Sequence, residues 1–240
     1  MPPALMYALV AAVANVAGGL LITSASPRGI RAQRMLLGFG AGFMLSVAFL
    51  AMLPHAVGEA TGVGLAALIG YLLVHVTQHV MTPHFHFGEE THHEAMVDRW
   101  VGTAALLGLL MHTFFDGVAI ASAFEVGTSL GIVVFLAVLV HKVPEGVTIA
   151  SIMLVSGNSE RNAILGVAFL GASTVAGVLL TSWLEPLARH GLAVSAGVTI
   201  YVAASNLMPE VQKENDLTSG IGVILGVLVF FLAWAFFGEL

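Results

Sequence analysis

In a chain of 240 residues, 58% are hydrophobic and only 9% are charged, and the mean hydropathy is +0.96. A soluble domain carries about 25% charged residues, so a water-facing globule is excluded and an integral membrane protein is implied. There is no cysteine, which removes disulfides and thiolate metal ligands, and the net charge of -6 leaves no basic patch for nucleic acid.

The first stretch, "MPPALMYALVAAVANVAGGLLI", has no positively charged n-region and reads as a first span rather than a cleaved signal. A spanning helix needs roughly 20 mostly apolar residues, and eight stretches qualify, at about 4–23, 35–56, 63–82, 100–124, 129–155, 161–183, 190–210 and 218–238. The expected fold is therefore an all-α membrane domain of eight transmembrane helices covering 1–240, with no soluble domain attached. Connections are short except for "TPHFHFGEETHHEAMVDR" after the third span. Arg28, Arg31, Arg34, Arg99, Arg161 and Lys213 flank the loops after spans one, three, five and seven, against Arg189 alone on the other side. That bias makes the first side cytoplasmic and places both termini outside. Brief loops suit a prokaryotic chain in the plasma (inner) membrane.

The polar residues within the spans come next in chain order. His55 and Glu59, an i, i+4 pair at the outer mouth of span two, suit an entrance site or a solvated helix end. His75 and His79 near the inner end of span three suit an exit station or snorkelling side chains. The loop histidines His84, His86, His92 and His93, with Glu89, Glu90 and Glu94, have the composition of a weak metal-binding or featureless segment. Span four carries "HTFFDGVAIAS" and span five "HKVPEGVTIAS". In each, a histidine is followed at i+4 by a carboxylate, so one helix face offers an imidazole and a carboxylate to the same point. His112, Asp116, His141 and Glu145 lie about twelve to sixteen residues into their spans, in the middle third of a ~30 Å core. A charge at that depth costs ~2.5–3.5 kcal/mol or more. Four N/O ligands from two helices suit a divalent transition metal. The matching segments on oppositely directed helices also look like an inverted repeat meeting at the midplane. Pro144 has no N–H, so the carbonyl of Val140 loses its helical donor beside this cluster. The competing reading makes these groups structural glue, and two carboxylates, two imidazoles and the Lys142 ammonium are too many for it. Asn206 and Glu210 lie at the inner end of span seven and suit an exit site.

At these residues the chain resembles the Zrt-/Irt-like (ZIP) family of divalent-metal transporters. The family patterns H-N-x-x-[DE]-G on span four and [HQ]-[DEN]-x-P-[EH]-[GE] on span five read here His112-Thr113-Phe114-Phe115-Asp116-Gly117 and His141-Lys142-Val143-Pro144-Glu145-Gly146. The resemblance implies a 3+2+3 inverted repeat with helices four and five central, a Met44 thioether ligand from span two, and transport by relative movement of two helix groups. Metal would then be substrate rather than cofactor: zinc first, with iron, manganese, cobalt and cadmium also suited to such ligands. Family members with a second metal hold it through the residue after each motif histidine and an acid on span six. Thr113, Lys142 and, by spacing, Thr174 stand there, which implies a single metal site with Lys142 as a built-in counter-charge. Where the family often has His-Glu on span seven, Ser205-Asn206 weakens the exit site. The implied partners are divalent metal ions and the bilayer, and a homodimer is compatible with the resemblance.

Two other function classes fit these residues less well. An intramembrane metalloenzyme needs an open coordination position and a general base; no H-E-x-x-H and no second catalytic motif accompanies these residues. A haem-binding electron carrier with His112 and His141 as axial ligands is opposed by two acids beside the iron and by the proline. The expectation is a transporter, not an enzyme.

Overall fold

Backbone N–H and C=O groups cannot go unpaired in hydrocarbon, and this chain pairs them within helices; among the described residues there is no strand. The computed structural model describes residues 3–24, 30–59, 62–81, 99–212 and 217–237. Helix α1 is Pro3–Ser24. Helix α2 runs through Ile30–Ser46, a π-helical turn Val47–Met52 and Leu53–Glu59. Then come α3 (Val63–Met81), α4 (Arg99–Val126), α5 (Thr128–Val155) and α6 (Glu160–Thr181). Helix α7 runs through Glu185–Tyr201, a second π-helical turn Val202–Leu207 and Met208–Gln212, and α8 is Leu217–Phe237.

These eight helices match the eight expected spans in order. Among the described residues, five of them are long and apolar enough to cross a membrane: Pro3–Leu21, Leu37–Val57, Gly102–Val126, Thr128–Val155 and Glu160–Thr181. Over their described residues the apolar parts of α3 and α8 run through Val63–Gln78 and Gly220–Phe236. Helix α7 carries Ser195, Thr199, Ser205 and Asn206 along its length and has no such apolar window. It also starts earlier than expected, because Pro186 sits in its first turn, where a missing N–H costs nothing. The His-rich loop and its four histidines lie outside the described residues.

Glycine sets how the helices pair. A methyl group at Gly18 of α1 would collide with the Val143 carbonyl of α5, and one at Gly146 of α5 with the Asn15 carbonyl of α1. The same reciprocal contact joins α4 to α6 (Gly117 on Thr174, Gly177 on Phe114) and α3 to α7 (Gly70 on Val194, Gly197 on Ala67). It also joins α2 to α8 (Gly42 on Val223, Gly226 on Phe39). In every couple each glycine lies three residues beyond the carbonyl that meets its partner glycine. Bare backbone against backbone gives close van der Waals contact and Cα–H···O approach where lipid offers no hydrophobic drive. Helices α1, α4, α5 and α6 pack along one another as one group, flanked by the α2–α8 and α3–α7 couples.

Local sequence recurs with this geometry. "ANVAGGLL" (residues 14–21) in α1 is matched by "STVAGVLL" (173–180) in α6. "VAFLAMLPH" (47–55) in α2 is matched by "VAASNLMPE" (202–210) in α7, and both hold the π-helical turn. Proline explains the turn: Pro54 and Pro209 supply no N–H, and one extra residue re-pairs the chain, with Leu53 N–H on Ala48 O and Met208 N–H on Ala203 O.

Candidate metal centre

Helices α4 and α5 are joined by Gly127 alone and held together at their other ends. There Arg99 Nε donates to Gly157 O at 3.0 Å and Asn158 Nδ2 to Arg99 O at 3.2 Å. Between these ends the four motif residues meet. His112, Asp116, His141 and Glu145 are all buried, and one ligand atom from each lies within 4.8 Å of the others. Nε2 of His112 and Nε2 of His141 each lie 3.3 Å from the same Asp116 oxygen, Oδ2. A tetrahedral zinc with bonds of about 2.1 Å separates its ligand atoms by about 3.4 Å, so these spacings fit the edges of such a site.

Tautomers sharpen the picture. His141 Nδ1 lies 2.9 Å from the Ala137 carbonyl and Nε2 lies 3.3 Å from Asp116 Oδ2; both partners can only accept, so each contact needs a ring N–H and a neutral ring satisfies only one of them. Both ring nitrogens of His112 and Oε1 of Glu145 are buried without a hydrogen-bond partner. Buried polar atoms without partners are costly in a dry interior, and a cation held between them would satisfy them.

One cation is already close. Lys142, fully buried, places Nζ 2.7 Å from Asp116 Oδ2 and 2.7 Å from Glu145 Oε2. The ammonium thus bridges the two carboxylates, leaving Glu145 Oε1 directed elsewhere. A cavity of about 30 Å³ is lined by His112, His141 and Glu145 together with Leu109, Thr148 and Asn206. It lies on the side of the site toward the Gly157 turn. On the Gly127 side an apolar cluster that includes Phe43, Val47, Ala119, Val133 and Ala196 fills the space between helix groups.

The remaining candidates separate. Met44 is buried within that apolar cluster. Thr113 and Thr174 are buried, and their hydroxyls donate to Leu110 O (3.0 Å) and Leu170 O (3.4 Å). Asn206, expected near an exit, lines the cavity of the motif residues themselves, carried there by the π-helical turn of α7. His55 donates from Nδ1 to Ala51 O at 2.7 Å, capping backbone beside the α2 π turn and leaving Nε2 its lone pair. The His75 ring stands edge-on to Tyr201, with centroids 5.7 Å apart. The side chains of Glu59, His79 and Glu210 lie outside the described residues.

Two residues escaped the sequence reading. Thr148 lines the cavity one helical turn beyond Glu145, and its hydroxyl donates to Pro144 O at 2.8 Å; its i+3 spacing was the available signal. Asn15 is fully buried in α1 with neither amide atom hydrogen-bonded.

The chain is similar to known transporters along its length. A family model described as ZIP Zinc transporter matches residues 89–233. The zinc transporter ZupT of Enterobacter sp. (strain 638) is 30% identical, covering 98% of each chain. ZupT of Escherichia coli O7:K1 (strain IAI39 / ExPEC) is 29% identical over 95% of each. The zinc transporter ZIP6 of Homo sapiens is 29% identical over 56% of this chain and 18% of its own length. The matched region contains both His-x-x-x-acid segments that build the buried four-ligand cluster, and the chain belongs to the ZIP zinc transporter family.

Proposed function

We propose that this protein carries divalent transition-metal ions, zinc first, across a bacterial inner membrane toward the cytoplasm, and that it is not an enzyme. The observation that carries this reading is the convergence of His112, Asp116, His141 and Glu145 on one point in the middle of two long apolar helices. All four act as ligands, with Met44 a fifth from α2 in the outward-facing arrangement. Relatives named as zinc transporters support zinc as the first substrate.

The matched segments of α1 and α6 and of α2 and α7, with the self-matching pair α4 and α5, support a 3+2+3 inverted repeat of eight spans with both termini outside. In that orientation the cavity beside Thr148 and Asn206 faces the cytoplasm and the apolar cluster closes the outer side. Metal would enter past His55 and Glu59 and leave past Asn206. Helices α1, α4, α5 and α6 would move as a body against the other two couples. Lys142 stands in place of a second metal: when the site is empty it neutralises one carboxylate charge that the interior would otherwise hold unpaired.

Zinc entry into proteoliposomes tests the reading. Wild-type protein is expected to load the vesicles, while His112→Ala and Glu145→Ala, each shown to be folded, reduce entry at least about a hundredfold, since losing even a partner that only orients a ligand costs about 10–100-fold. Equal entry in all three would make these groups structural.

A further inference from the structure

Asn15 has no part in the site as described, yet its position is unusual. It lies mid-helix in α1, fully buried, and both Nδ2 and Oδ1 lack a hydrogen-bond partner. A buried, unsatisfied amide is destabilising, so an apolar residue of the same size would serve packing better. Its backbone and its Oδ1 press against Gly146, where a methyl group would overlap the Asn15 carbonyl and come within 2.8 Å of Oδ1. Gly146 follows Glu145 directly and lies four residues from Lys142, on the same face of α5. Asn15 is therefore held at the wall of the carboxylate–ammonium cluster. Its counterpart in the matched segment of α6 is Thr174, a second buried polar residue, set against the glycine that follows Asp116.

The cluster contains a conflict that such a residue can settle. Asp116 Oδ2 is the oxygen closest to both histidine nitrogens, and it is also the oxygen that Lys142 holds at 2.7 Å. A metal bound by the two imidazoles must claim that same oxygen, and the ammonium must leave it. Lys142 then keeps Glu145 Oε2 and has an N–H to place in a dry interior. We propose that Asn15 Oδ1 is the acceptor that takes up the Lys142 ammonium when a metal ion claims the Asp116 oxygen. The unpaired amide of the empty carrier is thus a partner held in reserve, and Asn15 is a positioning residue that acts through Lys142. This rests on the metal-carrier reading above.

The test is zinc uptake by the full-length protein in proteoliposomes, with the melting temperature of each purified variant measured with and without zinc. Asn15→Leu is expected to melt no lower than wild type without metal, since it removes an unsatisfied amide. Its KM for zinc should nevertheless rise about tenfold, the scale of one hydrogen bond to a charged group. Asn15→Thr, the residue that α6 carries at the matching place, should restore KM to within about threefold because it keeps an acceptor. In a Lys142→Gln background, Asn15→Leu should change KM by less than about twofold, since the two residues act as one unit. Should Lys142→Gln transport too slowly to measure, the zinc-induced rise in melting temperature gives the same cycle. An unchanged KM in Asn15→Leu overturns the proposal, and so does an equal loss in both backgrounds. Failure of the underlying reading looks different: wild-type vesicles would admit no zinc, iron(II) or manganese, and the proposal would fall with it.

Discussion

At the scale of single residues, the centre is defined by competition for a few atoms. Lys142 and the two histidines all converge on Asp116 Oδ2. Removing the ammonium leaves two buried carboxylates facing each other, and breaking a buried pair costs about 3–5 kcal/mol. Lys142→Met is therefore expected to lower the metal-free melting temperature markedly. Zinc should raise the melting temperature of that variant more than it raises that of wild type, because the dication supplies the missing charge. Differential scanning fluorimetry with and without zinc checks this; equal zinc effects in both proteins would show that Lys142 and metal do not share the site. The convergence of His112, Asp116, His141 and Glu145 was legible in the sequence because i, i+4 spacing on a helix places side chains together whatever the tertiary fold does. Asn15 was not, since one asparagine in an apolar run has no spacing to give it away, and only its match with Thr174 in the second segment marks it.

At the scale of elements, two features do most of the positioning. The reciprocal glycine contacts bring backbones so close that no side chain fits. Gly146→Ala is expected to cost about 3 kcal/mol, as overpacking against rigid backbone does, and to abolish uptake by spreading α1 from α5. Gly220→Ala, where nothing lies within 4 Å, should be neutral on both counts. Expression level and melting temperature of the two variants check this, and a tolerated alanine at 146 would refute the tight seam. The π-helical turns are the second feature. Restoring an N–H with Pro209→Ala lets the α7 helix regain ordinary pairing and turns Asn206 away from the cavity. Uptake should fall at least about fivefold while stability holds or rises, given the roughly 3 kcal/mol helix preference of alanine over proline. Unchanged uptake would mean that the turn has no bearing on the path. The prolines were visible in the sequence, but the extra residue was not. A π turn is a shift of hydrogen-bond partner by one position and leaves no trace in composition, so that Asn206 lines the same cavity as the motif residues is not readable from the sequence.

At the scale of the whole molecule, the order and number of helices followed from hydropathy, which works because hydrocarbon permits few alternatives to helices. Among the described residues, three helices nevertheless show no full apolar window. Helix α7 does so because it is polar along the face that meets α4, where Ser195 Oγ donates to Phe115 O at 3.0 Å. The outer surface suits lipid: Val13, Phe169, Leu232 and Phe236 are exposed, and Trp183 stands 85% exposed at the end of α6, as interfacial aromatics do. The sorting of the helices into couples could not be read in advance. Twenty-seven glycines signalled close packing in general, and only the folded arrangement shows which carbonyl each of the eight paired glycines meets.

The bridging ammonium has an electrical consequence. With neutral imidazoles and ionised carboxylates, the metal-loaded centre carries one net positive charge and the empty centre one net negative charge. In the proposed transport cycle, a negative cell interior would pull the loaded centre inward and push the empty centre back outward. Each movement gains up to about 2.3 kcal/mol per 100 mV if it crosses the whole field. Without the lysine the loaded centre would be neutral, and the full electrical drive would fall on the return step alone. In that cycle Lys142 would divide one voltage between both halves, so that neither half is left without electrical drive while the other takes all the force.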